Sequence, residues 1–293
     1  MVRSGLVVTG ADGFLGSHLV RLARERGLDL VACQGPGGRV KGMPRLDLRR
    51  PGFADALLAG GSPTALIHLA AVSTIAGCAA DPALARRVNR DAVEELARAA
   101  ARREIPFVLA STDQIYDGRT PPYGPRDRPN PLSLYGATKA EAEERVRQAG
   151  GRWQIARLAL LFGRSPDGER GASDSLLRAY REGGLHPLFV DEVRAPLAAA
   201  EAAAALLAIA RQPAGGVWQV GSPRGISRYA FGRLVVAAAG LDPDRLPRGR
   251  RGQDPRFASR PRDLTLEVSA TAALPGVRLS PPREALARIY GQG

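Results

Sequence analysis

The chain has 293 residues, 44% of them hydrophobic, which is enough for one large domain, or a larger and a smaller one, to fold without disulfide staples. Cys33 and Cys78 stand far apart with no Cys-x-x-Cys motif or histidine cluster beside them, which excludes a disulfide scaffold and indicates no metal site. A net charge of +13 invites a nucleic-acid partner, but the arginines are spread along the chain, aromatic residues make up only 5%, and no nucleic-acid-binding motif is present, so we predict none.

The first residues lead directly into the strand-like run Leu6-Val7-Val8, without the charged and apolar regions of a secretory leader. The longest apolar stretch, residues 195–210, contains Glu201 and is shorter than the roughly 20 residues that a membrane span needs. We therefore expect a cytoplasmic protein with no membrane partner.

Strand-like apolar runs alternate with helical patterns through the first half of the chain, which predicts βαβ units and a parallel sheet. The predicted strands span residues 6–9, 29–32, 65–69, 107–111 and 154–160. The predicted helices span residues 14–26, 82–103 and 134–150. This alternation predicts an α/β fold in which residues 1–162 form a Rossmann-type doubly wound parallel sheet that binds a dinucleotide.

The pattern is looser after residue 162, with helical stretches at 174–182, 198–211 and 227–239 and short strands near Leu188 and Val217. We expect residues 163–293 to form a smaller, C-terminal substrate-binding part, and we leave open that the chain crosses back between the two parts. Residues 245–262 hold seven arginines and are either a solvated loop or an electrostatic funnel for a diphosphate.

Three glycines at a spacing of three follow the first predicted strand and begin the first predicted helix. A turn of this kind lets the backbone approach a pyrophosphate, which the free N–H groups of the helix then bind. The predicted cofactor contacts in this turn are Gly10, Asp12, Gly13, Phe14, Leu15 and Gly16.

The second predicted strand leads into Cys33-Gln34-Gly35, without the acidic residue that usually binds the adenosine ribose of NAD. Arg39 and Lys41 follow shortly and favour a 2′-phosphate, whereas Asp12 in the glycine turn weakly favours NAD. The cofactor is therefore predicted to be NADP(H) or NAD(H), with a slight preference for NADP(H).

Tyr135 and Lys139 form a pair at a spacing of four. With six tyrosines and two lysines in the chain, about 0.04 such pairs are expected by chance. On a helix the two side chains share a face, so an ammonium could lower the pKa of a tyrosine that donates a proton to a developing alkoxide. The alternative is an ordinary helical surface pair.

A hydroxyl group, that of Thr112, stands at the carboxyl end of the fourth predicted strand, where ligands bind in such sheets. A threonine there can hydrogen-bond a substrate carbonyl, although by itself it is more often part of a turn.

Together these motifs resemble the extended short-chain dehydrogenase/reductase superfamily along essentially the whole chain. Within the superfamily, four segments look like the dTDP-4-dehydrorhamnose reductase branch: residues 111–118, 129–132, 194–197 and 260–263. Departures from that branch are the missing ribose-binding acid after the second strand and the replacement of the usual acid around Pro125-Arg126.

The resemblance implies that Thr112 orients the carbonyl, that Tyr135 is the general acid, and that Lys139 binds the nicotinamide ribose and lowers the pKa of Tyr135. Along the cofactor it places Arg39, Asp47, Leu48, Ala70 and Ala71, together with Tyr135 and Lys139. On the substrate it places Val72, Asp113, Arg194 and Arg260. His68 is expected to pack rather than react, and Asn89 is either a polar group near the site or a solvated side chain.

The implied activity is NAD(P)H-dependent reduction of a nucleotide-linked 4-keto-6-deoxysugar, with arginines on its diphosphate because bidentate donors suit phosphate oxygens. Gln114 stands where sugar-nucleotide dehydratases place a glutamate, and an amide is no base, so dehydration is disfavoured. The alternatives are a sugar-nucleotide epimerase and a non-catalytic dinucleotide-binding regulatory subunit. A homodimer is left open.

Overall fold

A computed structural model describes residues 5–213, 215–253, 257 and 260–291. Its strands are β1 (Leu6–Thr9), β2 (Leu30–Cys33), β3 (Ala65–His68), β4 (Phe107–Thr112), β5 (Trp153–Leu158), β6 (Leu161–Phe162), β7 (Leu188–Phe189), β8 (Val193–Arg194), β9 (Leu197–Ala198), β10 (Gly216–Val220), β11 (Ile226–Ser227) and β12 (Arg248–Gly249). Its α-helices are α1 (Phe14–Glu25), α2 (Phe53–Leu58), α3 (Ile75–Ala80), α4 (Pro82–Arg86), α5 (Ala92–Arg102), α6 (Leu134–Ala149), α7 (Ala172–Glu182), α8 (Ala199–Ile209), α9 (Arg228–Ala238), α10 (Ser269–Ala272) and α11 (Pro282–Tyr290).

Six parallel strands form the central sheet in the order β10-β5-β4-β3-β1-β2. The order of the strands reverses between β1 and β3, so the loops after these two strands diverge and leave a crevice at the carboxyl edge of the sheet. The glycine turn follows β1, and Leu69-Ala70-Ala71 follow β3. The Rossmann-type doubly wound fold is therefore confirmed, and its switch point is where a dinucleotide would bind.

Helices cover both faces of this sheet, which explains why its strands are continuous apolar runs. On one face α1 and α8 share a buried cluster with the strands, in which Leu19 and Leu206 are fully buried. On the other face α2, α5 and α6 share a second cluster that includes Leu96 and Val146.

The chain after residue 162 contributes to both parts of the molecule. Helix α8 packs on α1, and β10 pairs in parallel with β5, so these two elements complete the central sheet. Helices α7, α9 and α11 build a separate apolar cluster around Phe162 and Phe231, which is the core of the smaller part.

The long helix predicted over residues 82–103 is divided in three, because a π-helical turn at Arg87–Asp91 separates α4 from α5. The short helices α2 and α3 were not predicted. In the part of the chain that the structure describes, no helix is both long and apolar enough to cross a membrane.

Candidate active site

Helix α6 brings Tyr135 and Lys139 to the end of β4. The hydroxyl of Ser133 caps the helix by accepting a hydrogen bond from the amide of Gly136 at 3.1 Å. Gly136 itself is required by close approach, because a Cβ there would lie 2.1 Å from the carbonyl oxygen of Gln114. This contact sets the start of α6 against the turn that follows Thr112, so the phenol of Tyr135 lies near the hydroxyl of Thr112, which acts to lower the pKa of the phenol.

Burial controls the ionisation of this pair. It raises the pKa of Tyr135 to about 12 and lowers the pKa of Lys139 to about 8, and the thiol of Cys78 interacts electrostatically with both. The pKa of Tyr135 was expected to be lowered, and the direction in the protein alone is the opposite because loss of hydration outweighs the hydrogen bond from Thr112. A tyrosine in this state carries its proton at neutral pH, as the acid in a reduction must.

The π-helical turn aims Asn89 at the back of the site, as such turns often do at functional positions. Its side chain is fully buried and accepts from the amide of Val72 at 2.8 Å, while its Nδ2 donates to the carbonyl of Val72 at 3.1 Å and to Thr138 at 3.2 Å. Asn89 thus fixes the backbone after β3 against α6. Asn89 is therefore a buried structural group of the site. Val72 also lies in the site, with its backbone amide and carbonyl hydrogen-bonded to the Asn89 side chain.

Cys78 and His68 are the other buried groups behind the pair. The Cys78 thiol donates to the carbonyl of Val72 at 3.2 Å, and this position beside the site was not predicted from the sequence. His68 pairs its Nδ1 with the hydroxyl of Thr9 at 2.7 Å, and burial lowers the pKa of His68 to about 3. A permanently neutral imidazole of this kind packs the sheet, as predicted.

The glycine turn fits a dinucleotide pyrophosphate. A Cβ on Gly10 would lie 2.7 Å from the amide of Ala70, and one on Gly16 would lie 2.1 Å from the carbonyl of Gly10. Among the described residues no side chain caps the start of α1 at Gly13, so the first N–H groups of this 12-residue helix, at Phe14 and Leu15, can bind an anion.

A cavity of about 350 Å³ continues from this turn along the carboxyl edge of the sheet. Its walls include five of the residues predicted to bind the cofactor, namely Gly10, Asp47, Leu48, Ala70 and Ala71, and also Val72. Asp47 is held by Arg49, whose Nη2 lies 2.8 Å from Oδ2, and these hydrogen bonds lower the pKa of Asp47 to about 2.

Gln34 occupies the place of the usual ribose-binding acid and serves the loop instead. Its amide donates to the carbonyls of Val40 and Met43 and accepts from the amide of Val40 at 2.9 Å. Arg39 and Lys41 are exposed in the loop that Gln34 organises, and Arg39 does not line the described cavity.

The substrate side of the site holds a buried charge cluster next to Thr112. Asp113 is 3% exposed, and among the described residues its Oδ2 has no hydrogen-bond partner. Burial raises the pKa of Asp113 to about 6, although the charge of Arg194 acts against the shift. Arg194 is itself buried, and its Nη2 lies 3.0 Å from Oε1 of Glu192.

Two further arginines belong to this cluster. Arg260 lies 3.6 Å from Oε2 of Glu192 and is 40% exposed. Arg228, at the start of α9, has a buried Nη1 without a hydrogen-bond partner among the described residues, and burial lowers its pKa. The three arginines outnumber the two carboxylates of Glu192 and Asp113, and Arg228 and Arg260 are only partly buried, so an anionic ligand could reach and offset the excess positive charge.

Arg228 and Glu192 were not predicted as site residues. The signal for Glu192 was its spacing of two from Arg194, which in a strand puts both on one face. Arg228 had no such signal. Of the predicted basic stretch, Arg256 lies outside the described residues. Within those residues, no group of His, Cys, Asp or Glu could hold a metal ion.

Comparison with known proteins identifies the family of the chain. The family model described as "RmlD substrate binding domain" matches residues 4–292. A probable low-salt glycan biosynthesis reductase from Haloferax volcanii is 30% identical over 267 residues, 89% of each chain. The dTDP-4-dehydrorhamnose reductase of Mycobacterium tuberculosis is 30% identical over 262 residues, 87% of this chain and 82% of that one. A dTDP-4-dehydrorhamnose reductase from Bacillus anthracis, solved in complex with NADP, has a TM-score of 0.85 over 100% of both chains at 20% identity, and so shares the fold.

Proposed function

The chain belongs to the family of the RmlD substrate binding domain, and on that premise we propose that it is an NAD(P)H-dependent reductase of a nucleotide-linked 4-keto-6-deoxysugar. The observation that carries the proposal is the meeting of Thr112, Tyr135 and Asp113 at one end of the crevice whose other end is the glycine turn. Reduction of a hydroxylated ketone requires a proton donor and a hydroxyl that binds the carbonyl, and a carboxylate oxygen without a partner can accept a hydrogen bond from the ketone's own hydroxyl.

Each group has a role that follows from its chemistry. When bound, the nicotinamide supplies the hydride to the carbonyl carbon. Tyr135 donates its proton to the carbonyl oxygen as negative charge develops there, and the hydroxyl of Thr112 orients that oxygen. Lys139, buried on the same helix face, binds the nicotinamide ribose and places positive charge near the oxygen.

Asp113 favours a sugar over a simple ketone. Its Oδ2 is buried and lacks a partner among the described residues, and such a group costs free energy until it accepts a hydrogen bond. A sugar hydroxyl next to the ketone would donate to it. Such a contact distinguishes substrates with that hydroxyl from those without it.

The arginine cluster favours a diphosphate on that sugar. Arg194, Arg228 and Arg260 surround Glu192, and a guanidinium binds phosphate oxygens through two parallel hydrogen bonds. A dianion would offset the excess charge and would give the buried Nη1 of Arg228 a partner. We expect these arginines to bind the diphosphate of the nucleotide.

The test is to mix the protein with NADPH or NADH and a panel of dTDP- and other nucleotide-linked 4-ketosugars and to follow oxidation of the dinucleotide. Stoichiometric oxidation with at least one ketosugar is expected. No turnover with any of them, although the dinucleotide binds, would contradict the proposal. An epimerase would instead convert the sugar with no net consumption of the dinucleotide.

The preference for NADP(H) rests on the missing acid after β2 and on the exposed Arg39 and Lys41. The ratio of the kcat/KM values for NADPH and NADH measures it. A cytoplasmic location and a homodimer stay predictions, and light scattering of the purified protein tests the second.

A further inference from the structure

The loop between β6 and α7 crosses the start of α1, where the glycine turn lies. Arg170 in this loop donates from Nη1 to the carbonyl oxygen of Asp12 at 2.6 Å. The ring of Phe14 packs against Gly171, where a Cβ would lie 2.4 Å from the ring. The smaller part of the molecule thus contacts the pyrophosphate turn directly, through residues more than 150 positions away in sequence.

The loop is held in one shape by its own polar contacts. The amide of Ser165 donates to Oδ2 of Asp174 at 2.6 Å, and the amide of Arg170 donates to Oγ of Ser165 at 3.1 Å. Oγ of Ser165 also lies 2.8 Å from Oδ1 of Asp167. Because Asp174 is buried in α7, the backbone position of Arg170 is fixed relative to the smaller part.

The guanidinium of Arg170 does not use all of its N–H donors in hydrogen bonds within the described residues. Its Nε lies 2.7 Å from Oδ2 of Asp167, and the two side chains are 40% and 41% exposed. Nη1 binds a neutral carbonyl, and among the described residues the buried Nε, although close to Asp167, has no hydrogen-bond partner. Asp12 adds a negative charge to a turn that would hold two more on a pyrophosphate, so the turn calls for a cation.

We propose that Arg170 is a ligand of the cofactor pyrophosphate, supplied by the smaller part to a turn of the dinucleotide-binding part. The proposal rests on the proposed use of a dinucleotide. The loop would then lie over the bound cofactor, and Arg170 would make cofactor affinity depend on the smaller part. Neither the glycine spacing nor the fold alone assigns this role to it.

Direct binding tests the proposal without turnover. Arg170→Ala should weaken NADPH and ADP-ribose about tenfold, and should leave 2′-AMP, which lacks the pyrophosphate, unchanged. Arg170→Lys should recover part of the loss. The matched control is Arg178→Ala, which removes an equal charge from the neighbouring α7, where Arg178 faces Glu169 at 3.6 Å. Unchanged NADPH affinity in Arg170→Ala, or an equal loss for 2′-AMP, would overturn the proposal.

A second variant separates ligand binding from loop structure. Asp167→Asn keeps the Oδ1 acceptor that Ser165 uses and removes the charge beside Arg170. NADPH affinity should then hold or rise, whereas a tenfold loss as in Arg170→Ala would show that the ion pair only shapes the loop. If the unaltered protein binds neither NADPH nor NADH, the proposed function itself fails. If it binds them and Arg170→Ala binds equally well, only the role of Arg170 fails.

Discussion

The carboxylate of Glu143 and the guanidinium of Arg157 form an ion pair in the protein interior, with 2.7 Å between Oε2 and Nη2 and side-chain exposures of 0% and 1%. Glu143 lies one helical turn after Lys139, and its charge opposes the burial that lowers the pKa of Lys139. Arg157 also donates to the hydroxyl of Tyr116 at 2.6 Å. The pair therefore joins the helix that carries Tyr135 and Lys139 to strand β5, next to the strand of Thr112.

Breaking this pair should destabilise the fold. Glu143→Met leaves the buried guanidinium of Arg157 without its carboxylate, which costs about 3–5 kcal/mol. Arg157→Met should cost less, because Arg147 still lies 3.2 Å from the Glu143 carboxylate. The double variant removes both charges and should lose much less than the sum of the two, as the free energy of unfolding in urea would show. The control is Arg147→Met, which removes a half-exposed partner 3.2 Å from the same carboxylate and should cost about 1 kcal/mol or less. Additive losses in the double variant would mean that the two charges do not depend on each other.

The proton donor is tested by Tyr135→Phe. Removing the phenol hydroxyl should lower kcat about 10²–10⁴-fold and change the Kd of NADPH less than about threefold, because the ring still packs in the crevice. Tyr180→Phe is the control, since Tyr180 donates to the carbonyl of Asp242 at 3.0 Å in the core of the smaller part. A Tyr135→Phe variant with nearly full kcat would exclude Tyr135 as the acid. A regulatory subunit would show no turnover to lose in the unaltered protein.

Arg228 is expected to act on the nucleotide end of the substrate. Arg228→Ala should raise the KM for the nucleotide sugar about 10- to 100-fold, the value of one charge-assisted hydrogen bond, with the KM for NADPH unchanged. Arg233→Ala on the same helix removes a charge paired with Asp244 at 2.7 Å and should leave both KM values unchanged. Nucleoside diphosphates should inhibit Arg228→Ala less well, and free nucleosides equally well. Equal weakening of both inhibitors would place Arg228 away from the phosphates.

Much of this fold could be predicted because buried parallel strands are continuous apolar runs and their helices have a regular apolar period. The π-helical turn at Arg87–Asp91 was missed because one extra residue in a helix barely disturbs that period. Helix α2 was missed because its 6 residues are too few to show a period.

The pairing of Tyr135 with Lys139 could be predicted for a local reason, and the charge cluster could not. Tyr135 and Lys139 are four residues apart on one helix, so their spacing alone places them on one face. Arg228 meets Glu192 only because β11 pairs with β8 in the folded chain. From the sequence, Gln34 could be described only as the absence of a ribose-binding acid. Its hydrogen bonds to Val40 and Met43 in the folded chain show that it organises the loop.

Asp113 should make substrate binding and stability respond to pH in opposite directions. Its pKa in the folded protein, about 6, lies above the ordinary value of 3.8, so the ionised form destabilises the fold at pH 7. A difference of about two pKa units corresponds to roughly 3 kcal/mol. That cost begins to fall as the pH drops below about 6 and is gone below 3.8, where both the folded and the unfolded states are protonated.

Asp113→Asn should therefore raise the melting temperature at pH 7.5, and its advantage over the unaltered protein should shrink as the pH falls below about 6 and vanish below about 3.8. Substrate binding should respond to pH in the opposite direction from stability. As the pH falls below about 6, the unaltered protein loses the carboxylate that accepts the sugar hydroxyl, and its KM for the ketosugar should rise. In Asp113→Asn the KM should be high at every pH, with the Kd of NADPH unchanged. A variant that is less stable at pH 7.5, or whose KM keeps the inflection near pH 6, would show that another group titrates there.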